Sequence, residues 1–441
     1  MPLQINRIEP MTKYAAPKGT FDILPRLTEK DEWRGSHLWA YIEKVMVELS
    51  HDYNFHEIRT PIFEASSLFI RSVGETSDIV SKEMYLFHDK GNRALCLRPE
   101  GTAAVMRAFA QHQLQQNGTK QKLFYIGPFF RYDRPQAGRY RQFHQFGVEA
   151  IGDDSPEQDF EVIEMLIELY RRLGLKKLCL QLNTLGTSDH RTSYKKELLA
   201  FLTPYLDKLS PESKRRFEVN PLRILDSKDP AEQALLKNAP VLLDHLDPTS
   251  KERFDILCSL LKSAAIPFEV TPTLVRGLDY YNHVVFEVIS DELGAQNALG
   301  GGGRYNGLLA AFDGPDLPSI GFSTGIERVL TAMVQAKCIL PKPNSPSVCL
   351  IPMGEEAKKE CFRLLYNLRH QHICAELIQA KKLQKALQEA DKLKALFAVL
   401  IGQKELAKNT AQVKQMNTRK TQEIALCDLV PFFLNQNCKA S

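Results

Sequence analysis

The sequence predicts an α+β protein with a large antiparallel sheet flanked by helices, a helical insertion and a small α/β domain at its C-terminal end. Short apolar or aromatic runs separated by Gly, Pro and Asp fill the region 84–148, which is typical of such a sheet. Residues 187–266 are rich in helix formers and contain few β-branched residues, which favours helices. After Pro346, strand-like and helical segments alternate in an α/β rhythm.

The first predicted elements are a helix and the sheet that it leads into. Apolar residues recur at helical spacing between Asp31 and Asn54, and residues 55–61 have the pattern of a strand that ends at a proline. The apolar runs that follow are separated by turn residues. They predict four further strands, at 84–87, 94–97, 122–126 and 142–148.

The sheet is expected to resume after the helical insertion. Residues 274–289 have the pattern of a strand pair, and residues 319–334 have that of a strand followed by an apolar helix. We therefore predict that one domain is built from two stretches, 1–186 and 267–337, which the insertion at 187–266 separates.

A proline-rich linker leads to the small C-terminal domain. Three prolines in the segment 338–346 stiffen it and disfavour both a helix and a central strand. The domain predicted at 347–441 is basic, because 15 Lys and Arg face 9 Asp and Glu from Pro346 onwards, while the whole chain has a net charge of +4. Its predicted elements are strands at 347–352, 396–401 and 423–426 and helices at 355–370 and 380–390.

Composition narrows the class of protein and its location. The nine cysteines are scattered singly, without a Cys-x-x-Cys pair or a Cys/His cluster at zinc spacing. We therefore expect reduced thiols and no protein-bound structural metal, zinc included. Charged residues interrupt the first 25 positions, and no later segment has the length of a membrane span. These features predict a cytoplasmic protein without membrane association.

The most informative segment is 124–149, in which two predicted strands flank a loop with four arginines. A guanidinium is a planar fork of donors that stays charged and binds phosphate oxygens in pairs, so several arginines around one turn suit a polyphosphate. Phe143, on the returning strand, could stack on a purine. Taken alone, the loop would more simply be a solvated basic hairpin.

Acidic and polar groups are expected beside this loop. Glu100 precedes it, and Gln145 and Glu149 share a strand face with Phe143 by alternation. Carboxylates next to an anion-binding loop suit a ligand with both signs of charge, such as an amino acid bound beside ATP. Taken alone, each acid would more often be a surface residue.

Three later segments give weaker signals. Residues 274–283 place an arginine, an acid and two tyrosines in a strand-like run, which suits a substrate-binding segment. The alternative interpretation is an amphipathic strand whose tyrosines belong to the core. Glycines at 300–303 suit either a flexible turn or a close approach of backbone to substrate. In the segment 321–328, Arg328 falls early in an apolar helix, from which it could reach towards a nucleotide.

Taken in order, these segments resemble the class II aminoacyl-tRNA synthetases and, within them, the histidyl-tRNA synthetase family. The resemblance covers nearly the whole chain. The similar segments are the opening signature (16–25), motif 1 (53–61), motif 2 (124–149), a part of the insertion (220–228), two segments peculiar to the histidine enzymes (274–281 and 301–305) and motif 3 (321–328).

The resemblance implies an antiparallel six-stranded catalytic sheet and a C-terminal domain that reads the anticodon. It also implies a homodimer built partly through motif 1. The implied reaction activates histidine with ATP to histidyl-adenylate and pyrophosphate, and then transfers histidine to the 3′ end of tRNA(His). Magnesium is expected to accompany ATP as part of the substrate.

Residue by residue, the resemblance implies an ATP site around motif 2. Arg131 would hold the α-phosphate and Arg139 the γ-phosphate. Phe143 and Arg328 would sandwich the adenine. Asp133, at a position where the family more often has glutamate, is the remaining candidate for a nucleotide contact.

A histidine site is implied next to the ATP site. Glu100, Thr102 and Gln145 would bind the ammonium group of histidine, whereas Tyr281 and Glu149 would read its imidazole ring. The full set of residues that the resemblance implies for histidine is Glu100, Gly101, Thr102, Gln145, Glu149, Arg276, Tyr280, Tyr281 and Tyr305.

Two arginines are the expected catalytic residues, Arg276 and Arg131. By resemblance, Arg276 would contact both the histidine carboxylate and the α-phosphate and so bring the nucleophile to phosphorus. A protein base is not needed, because a carboxylate is already ionised. Gln136 and Arg141 resemble positions that meet the acceptor end of histidine tRNA in bacterial relatives.

The sequence allows three other interpretations. A noncatalytic, synthetase-like regulatory subunit of ATP phosphoribosyltransferase would lack the C-terminal domain and the ATP arginines, which this sequence retains. A second interpretation is another class II synthetase, for glycine, threonine or proline. The run Arg-Gly-Leu-Asp-Tyr-Tyr at 276–281 argues against it. A pure RNA-binding module would bind tRNA without consuming ATP.

Overall fold

The computed structural model divides the chain into two compact units, one ending at Pro341 and the other beginning at Lys342. The sequence predictions that touch residues outside the described ranges include the N-terminal stretch 1–25, which is described only from Tyr14, the arginine loop at Ala137, the stretch 267–337 at residues 291–296, the linker at Asn344, the helix 380–390 at Lys381 and the C-terminal domain after residue 436. The residues that the structure describes are 14–25, 29–74, 77, 79–136, 138–290, 297–343, 345–380 and 382–436.

In the first unit, two sheets form from the described strands. The strands are β1 (His56–Glu57), β2 (Phe63–Ala65), β3 (Leu86–His88), β4 (Ala94–Leu97), β5 (Gln121–Phe130), β6 (Gln142–Ile151), β7 (Leu178–Thr184), β8 (Phe268–Val270), β9 (Asn282–Ser290), β10 (Ala298–Arg304) and β11 (Ser319–Gly325). Within the described ranges, the large sheet has the order β1-β5-β6-β11-β10-β9-β7-β8, and the small one has the order β2-β4-β3.

The centre of the large sheet is antiparallel, as predicted. Each neighbouring pair in the run β5-β6-β11-β10-β9-β7 is antiparallel, which gives the six strands expected from the resemblance. Among the described residues, two short strands extend the large sheet at its edges. β1 pairs with β5 and β8 pairs with β7, both in parallel. The strand predicted at 55–61 is shorter in the structure, where β1 spans only His56–Glu57. β8 was not predicted, because its three residues are too few to produce a detectable alternation in sequence.

The prediction of a strand pair at 274–289 is wrong in its first half. Residues 274–281 form a loop, and the strand begins at Asn282. The loop is held by side chains instead of a ladder: Nδ2 of the buried Asn183 donates to the carbonyls of Pro272 and Leu274, at 3.0 and 2.9 Å. Side-chain hydrogen bonds of this kind leave no periodic signature in the sequence.

The helices of the first unit surround the large sheet. Those covering one sheet face are amphipathic: α1, α4 and α9 bury residues such as Leu38, Ile42, Leu166 and Val329 against the even-numbered side chains of β6. The helices are α1 (Ser36–Asp52), α2 (Ser66–Val73), α3 (Thr102–Gln111), α4 (Pro156–Arg172), α5 (Ser188–Leu202), α6 (Pro211–Val219), α7 (Pro230–Leu236), α8 (Pro248–Ser263) and α9 (Ile326–Gln335).

The insertion is helical because its sequence marks successive helix starts. Side chains of Thr187, Ser210, Asp229 and Asp247 each accept a backbone N–H in the first turn of α5, α6, α7 and α8. Proline at the first position of α6, α7 and α8 fits a site where no intrahelical N–H bond is needed.

A buried ionic cluster ties the insertion to the sheet. Arg304, at the end of β10, is fully buried, and its guanidinium lies 2.5 Å from Oδ1 of Asp159 on α4. Arg253 on α8 reaches the other oxygen of Asp159 at 2.9 Å. Because removing one member would leave a buried charge unpaired, the cluster fixes α8 against the glycine-rich strand.

The second unit is a small α/β domain. Its described strands are β12 (Val348–Met353), β13 (Ala375–Leu377), β14 (Phe397–Gly402), β15 (Thr410–Gln415) and β16 (Thr421–Ala425), in the order β13-β12-β14-β15-β16. Parallel pairing in β13-β12-β14 gives way to antiparallel pairing in β14-β15-β16. The described helices are α10 (Glu355–His370), α11 (Leu383–Lys392), α12 (Gln403–Lys408) and α13 (Leu429–Asn435).

None of the helices in the described ranges is both long and apolar enough to cross a membrane.

Candidate active site

A cavity of about 850 Å³ opens in the first unit. Its floor is the face of the large sheet that carries Phe143 and Gln145, and its walls are the start of α3, the loop at 274–281 and the turns of the insertion between α6 and α7. Residues of the segments 124–149, 220–228, 274–281, 301–305 and 321–328 therefore meet around one space, although these segments lie far apart in the chain.

The arginine loop, residues 131–141, joins the hairpin strands β5 and β6, and the backbones of Gln136 and Arg139 pair within it. Arg131 leaves the end of β5, donates from Nε to the carbonyl of Pro99 at 3.0 Å, and holds its guanidinium 5.4 Å from the ring centre of Phe143. Burial lowers the pKa of Arg131, although the carboxylates of Glu83 and Glu100 oppose that shift. A buried guanidinium beside an aromatic face suits a phosphate next to a stacked base.

Two further arginines extend this positive wall. Arg139 pairs with Asp133 across the hairpin at 3.1 Å, so the carboxylate of Asp133 is engaged by another residue of the predicted ATP set. Arg328 of α9 donates to the carbonyls of Gly138 and Ala298, each at 3.0 Å, and burial lowers its pKa. Arg328 therefore braces the hairpin against the end of the glycine-rich strand β10.

The start of α3 presents acidic and hydroxyl groups to the cavity. Glu100 is 4% exposed, and its carboxylate accepts the backbone N–H groups of Thr102 and Ala103 at 2.7 and 2.9 Å. Burial raises the pKa of Glu100, while these hydrogen bonds and Arg131 act against the shift. The helix end thus holds a carboxylate beside the guanidinium of Arg131.

Glu149 lies one layer deeper, behind Thr102 and Gly321. It is fully buried; Thr102 Oγ1 donates to Oε1 at 2.8 Å, and the hydroxyl of Tyr305 donates to Oε2. Burial raises the pKa of Glu149 to about 8. A Cβ atom on Gly321 would lie 2.2 Å from Oε2, so glycine at this position leaves the carboxylate its space.

Arg276 lies on the loop wall opposite the hairpin. Nη1 donates to Oε1 of Glu287 at 2.5 Å, and its buried Nε has no hydrogen-bond partner among the described residues. Burial lowers the pKa of Arg276, but Glu287 and the nearby tyrosines outweigh that effect and raise it. A Cβ atom on Gly301 would come within 3.1 Å of Nη1, so the glycine run lets the guanidinium approach the sheet backbone.

Three tyrosines of the predicted histidine set form one aromatic cluster. The ring centres of Tyr280 and Tyr281 are 4.7 Å apart, and Tyr305 lies 5.6 and 6.2 Å from them. Tyr280 and Tyr281 line the cavity, whereas Tyr305 is buried behind it. Beside them, Gln145 donates weakly to Ser323 Oγ at 3.5 Å, and its buried Oε1 has no partner among the described residues.

The two predicted tRNA contacts lie outside the cavity, on the hairpin. Gln136 is exposed at the tip, where its backbone pairs with Arg139. The guanidinium of Arg141 stacks 3.9 Å from the ring centre of Tyr132, and its backbone N–H donates to the carbonyl of Gly19 at 2.7 Å. The opening signature therefore packs against the base of the hairpin.

Sequence reasoning missed several residues of the site. The ring of Tyr125 lies against the backbone of Gly147 in β6 and of Gly101 at the start of α3, since a Cβ atom on either glycine would clash with the ring. Glu287, on β9, is the partner of Arg276. Asp226, on the cavity wall, comes from the insertion, and burial raises its pKa. Tyr125 and Glu287 both occur in apolar strand segments. Only the alternation of side chains along a strand, which places them on the same sheet face as neighbouring site residues, could have identified them from sequence.

Comparison with known protein families identifies the family to which the chain belongs. A family model described as histidyl-tRNA synthetase matches residues 22–329, and one described as an anticodon binding domain matches residues 347–436. The chain belongs to the histidyl-tRNA synthetase family. A family member from Protochlamydia amoebophila, a histidine–tRNA ligase, is 51% identical over 424 residues, which cover 96% of this chain and 100% of the relative.

Solved structures agree with the family assignment. The apo histidyl-tRNA synthetase of S. aureus is 38% identical, with a TM-score of 0.80 over 96% of this chain and 100% of that one. A Bacillus halodurans structure titled as an ATP phosphoribosyltransferase regulatory subunit/histidyl-tRNA synthetase has a TM-score of 0.63 over 89% of this chain and 99% of that one. At 22% identity, this second likeness concerns the fold alone.

Proposed function

We propose that the protein is a histidine–tRNA ligase that forms histidyl-adenylate from histidine and ATP and then charges tRNA(His). The observation that carries the proposal is one cavity in which Arg131, Arg276 and Arg328 face Glu100 and Gln145. Such a site suits a ligand with both signs of charge, which is what an amino acid bound beside ATP presents. Family membership supplies the identity of the amino acid.

ATP binds along the arginine hairpin. Arg131 holds the α-phosphate and Arg139 the γ-phosphate, while Phe143 and Arg328 sandwich the adenine. The 5.4 Å approach of Arg131 to Phe143 supports this arrangement, because it sets a phosphate-binding guanidinium at the edge of an aromatic platform. Asp133 orients Arg139 through their ion pair and lies within the nucleotide region.

Histidine binds between the start of α3 and the tyrosine cluster. Glu100, Thr102 and Gln145 accept its ammonium group, with Gly101 keeping the helix end free of a side chain. The buried, unpartnered Oε1 of Gln145 supports this role, since an ammonium donor would satisfy it.

The imidazole of histidine is read by Tyr281 and Glu149, and Tyr280 and Tyr305 complete the pocket. The two oxygens of Glu149 already accept from Thr102 and Tyr305, which fixes the orientation of the carboxylate. A pocket of buried polar groups discriminates against other amino acids by leaving those groups unpaired, a factor of roughly 10⁴ or more.

Arg276 and Arg131 carry the catalysis of the first step. The carboxylate of histidine attacks the α-phosphorus, the bond to the β-phosphate oxygen breaks, and pyrophosphate leaves. Both guanidiniums stabilise charge at the α-phosphate, and Arg276 also holds the attacking carboxylate, so catalysis is positioning and electrostatics. Magnesium enters with ATP, and Glu83 and Glu287 on the cavity wall are carboxylates of the kind that it prefers as ligands.

The second step uses tRNA. A ribose hydroxyl at its 3′ end attacks the acyl carbon of the adenylate, and AMP leaves. Gln136 and Arg141, on the exposed side of the hairpin, contact the acceptor end. The domain at 347–441 reads the anticodon, as the family match over 347–436 supports.

The ligase works as a homodimer. Motif 1 leads directly into β2, and the small sheet exposes apolar side chains there. Phe63 is 55% exposed and Phe87 39%, and their ring centres lie 6.4 Å apart on one face of the sheet, whereas Leu86, on the opposite face, is 62% exposed. Since an exposed apolar patch beside a family dimerisation motif is costly in water, covering it with a second copy supports the dimer.

The test is ATP–pyrophosphate exchange with magnesium and each of the twenty amino acids in turn. We expect exchange with histidine alone, followed by charging of tRNA(His). Exchange with another amino acid would assign the protein to a sister specificity, and absence of exchange with all twenty would favour a noncatalytic, regulatory role.

A further inference from the structure

The loop at 274–281 carries Arg276 and Tyr281, yet residues of the helical insertion hold much of its backbone. Nη2 of Arg223 donates to the carbonyl of Gly277 at 2.8 Å, and the guanidinium of Arg191 donates to the carbonyl of Tyr281. The position of these two substrate-facing residues therefore depends on side chains that lie outside the sheet and the loop itself.

Asp279 is the centre of this contact. Its Oδ1 accepts from Nη2 of Arg223 at 3.2 Å and from Nδ2 of Asn220 at 2.9 Å. One arginine thus bridges a carboxylate and a carbonyl two residues apart in the loop, which fixes the loop in orientation as well as position.

The opposite oxygen of Asp279 lies against backbone of the sheet domain. A Cβ atom on Gly74, whose φ is +90°, would come within 2.7 Å of Oδ2. Glycine at the end of α2 is therefore needed to seat the carboxylate. Asp279 lies between this turn and the insertion, so a change on either side reaches the loop.

We propose that Arg223 and Asp279 are positioning residues, through which the helical insertion holds the loop of Arg276 and Tyr281 in its active geometry. This inference rests on the proposed function, since it concerns the same adenylation step. It assigns the insertion a role in amino-acid activation that does not require tRNA to be bound.

A purely structural ion pair would behave differently. The Arg223 side chain is 11% exposed and that of Asp279 29%, and a pair this close to solvent contributes little to folding. A displaced loop has a larger effect on rate, because an error of about 1 Å in a reacting group can cost roughly 10²-fold. A large loss of exchange activity with little change in Tm would therefore indicate a positioning role, and a purely structural ion pair would not give this result.

The experiment is histidine-dependent ATP–pyrophosphate exchange without tRNA, on the full chain carrying Arg223→Met, Asp279→Asn or both. Asp279→Asn is isosteric, and Arg223→Met keeps most of the apolar stem, so both are expected to fold. We expect each single variant to lose about 10-fold to 10²-fold in kcat, with Tm changed by only a few degrees. The double variant should lose less than the product of the two single losses, because both substitutions remove the shared contact between Arg223 and Asp279.

Lys214→Met, on the exposed face of α6, is the matched control: it removes one positive charge from the same insertion and should leave exchange unchanged. Arg223→Lys should recover only part of the rate, since an ammonium lacks the fork that reaches both acceptors. Exchange by Arg223→Met equal to that of Lys214→Met would overturn the proposal, as would losses that multiply in the double variant. Absence of histidine exchange by the unmodified protein would instead reject the proposed function.

Discussion

Arg276 and Glu287 form a short ion pair on the wall of the cavity, with Nη1 2.5 Å from Oε1. The pair joins the loop at 274–281 to the middle of β9, and Gly301 on the neighbouring strand leaves room for the guanidinium. Glu287 aligns Arg276 and keeps it charged, while the buried Nε has no hydrogen-bond partner among the described residues. The strand residue thus fixes the position of the arginine on the cavity wall.

We expect Arg276→Ala to fold and to be nearly inactive. Loss of a preorganised charge at the reacting phosphate should lower kcat for exchange by about 10³-fold. Far-ultraviolet circular dichroism should match that of the unmodified protein. An unfolded variant would contradict the assignment of Arg276 to catalysis.

The double variant Arg276→Ala with Glu287→Gln is the control for the first prediction. Arg276→Ala alone leaves the Glu287 carboxylate without its partner, which lowers the free energy of unfolding. Neutralising Glu287 should recover part of that free energy in urea titrations without restoring exchange. Recovery of activity by the double variant would show that the unpaired Glu287 carboxylate caused the loss of exchange in Arg276→Ala.

The pH dependence of folding should report Glu149. Its pKa is raised by burial from an ordinary value of 4.5 to about 8, so between these values the folded protein keeps a proton that the unfolded chain has lost. The stabilising contribution is therefore complete below pH 4.5 and declines as pH rises through about 8. Glu149→Gln should flatten this decline in unfolding free energies measured from pH 5 to 8.5; an unchanged slope would contradict the prediction.

Gly321→Ala should disturb the base of the histidine pocket. The added Cβ would lie 2.2 Å from both Glu149 Oε2 and the carbonyl of Val148, and the backbone oxygen cannot give way cheaply. We expect a loss of about 1–3 kcal/mol in urea unfolding, together with a higher KM for histidine. Gly91→Ala, at an exposed turn, is the control and should change neither quantity; equal behaviour of the two variants would remove Gly321 from the pocket.

Phe143→Leu should weaken ATP binding selectively. Replacing the aromatic face removes the proposed stacking surface for adenine, and such stacking contributes about 1–3 kcal/mol per base in nucleic-acid sites. We expect KM for ATP to rise roughly 10-fold, which corresponds to about 1.4 kcal/mol, with KM for histidine unchanged. A rise in both values would indicate that Phe143 supports the cavity in general rather than the nucleotide.

A charge on the small sheet should dissociate the dimer. Phe63→Glu sets a carboxylate on the exposed apolar face that Phe63 shares with Phe87, and a second copy could cover it only by burying an unpaired charge. Light scattering should report a dimer for the unmodified protein and a monomer for the variant. Phe362→Glu, an aromatic residue of the second unit that is 49% exposed, is the control and should remain dimeric. A monomeric unmodified protein would reject the dimer.

Strongly periodic segments were predicted from sequence with accurate bounds. Helix α10 occupies the predicted 355–370, and β4 the predicted 94–97. In such segments the burial of one face and the local preference agree, so the pattern itself sets the ends. Short elements such as β13 were missed, because three residues give no period and their pairing is decided by neighbours elsewhere in the chain.

The sequence by itself determined the family, the sheet and the types of residue that the site would contain. Only the tertiary structure decided that Arg276 pairs with Glu287, that Glu149 is buried behind Thr102, and that Arg223 meets Asp279, 56 residues further along the chain. Local preferences and periodicity act over a few residues, whereas these contacts depend on how whole elements pack. Their distances and burial, and hence their charges, are properties of the folded chain.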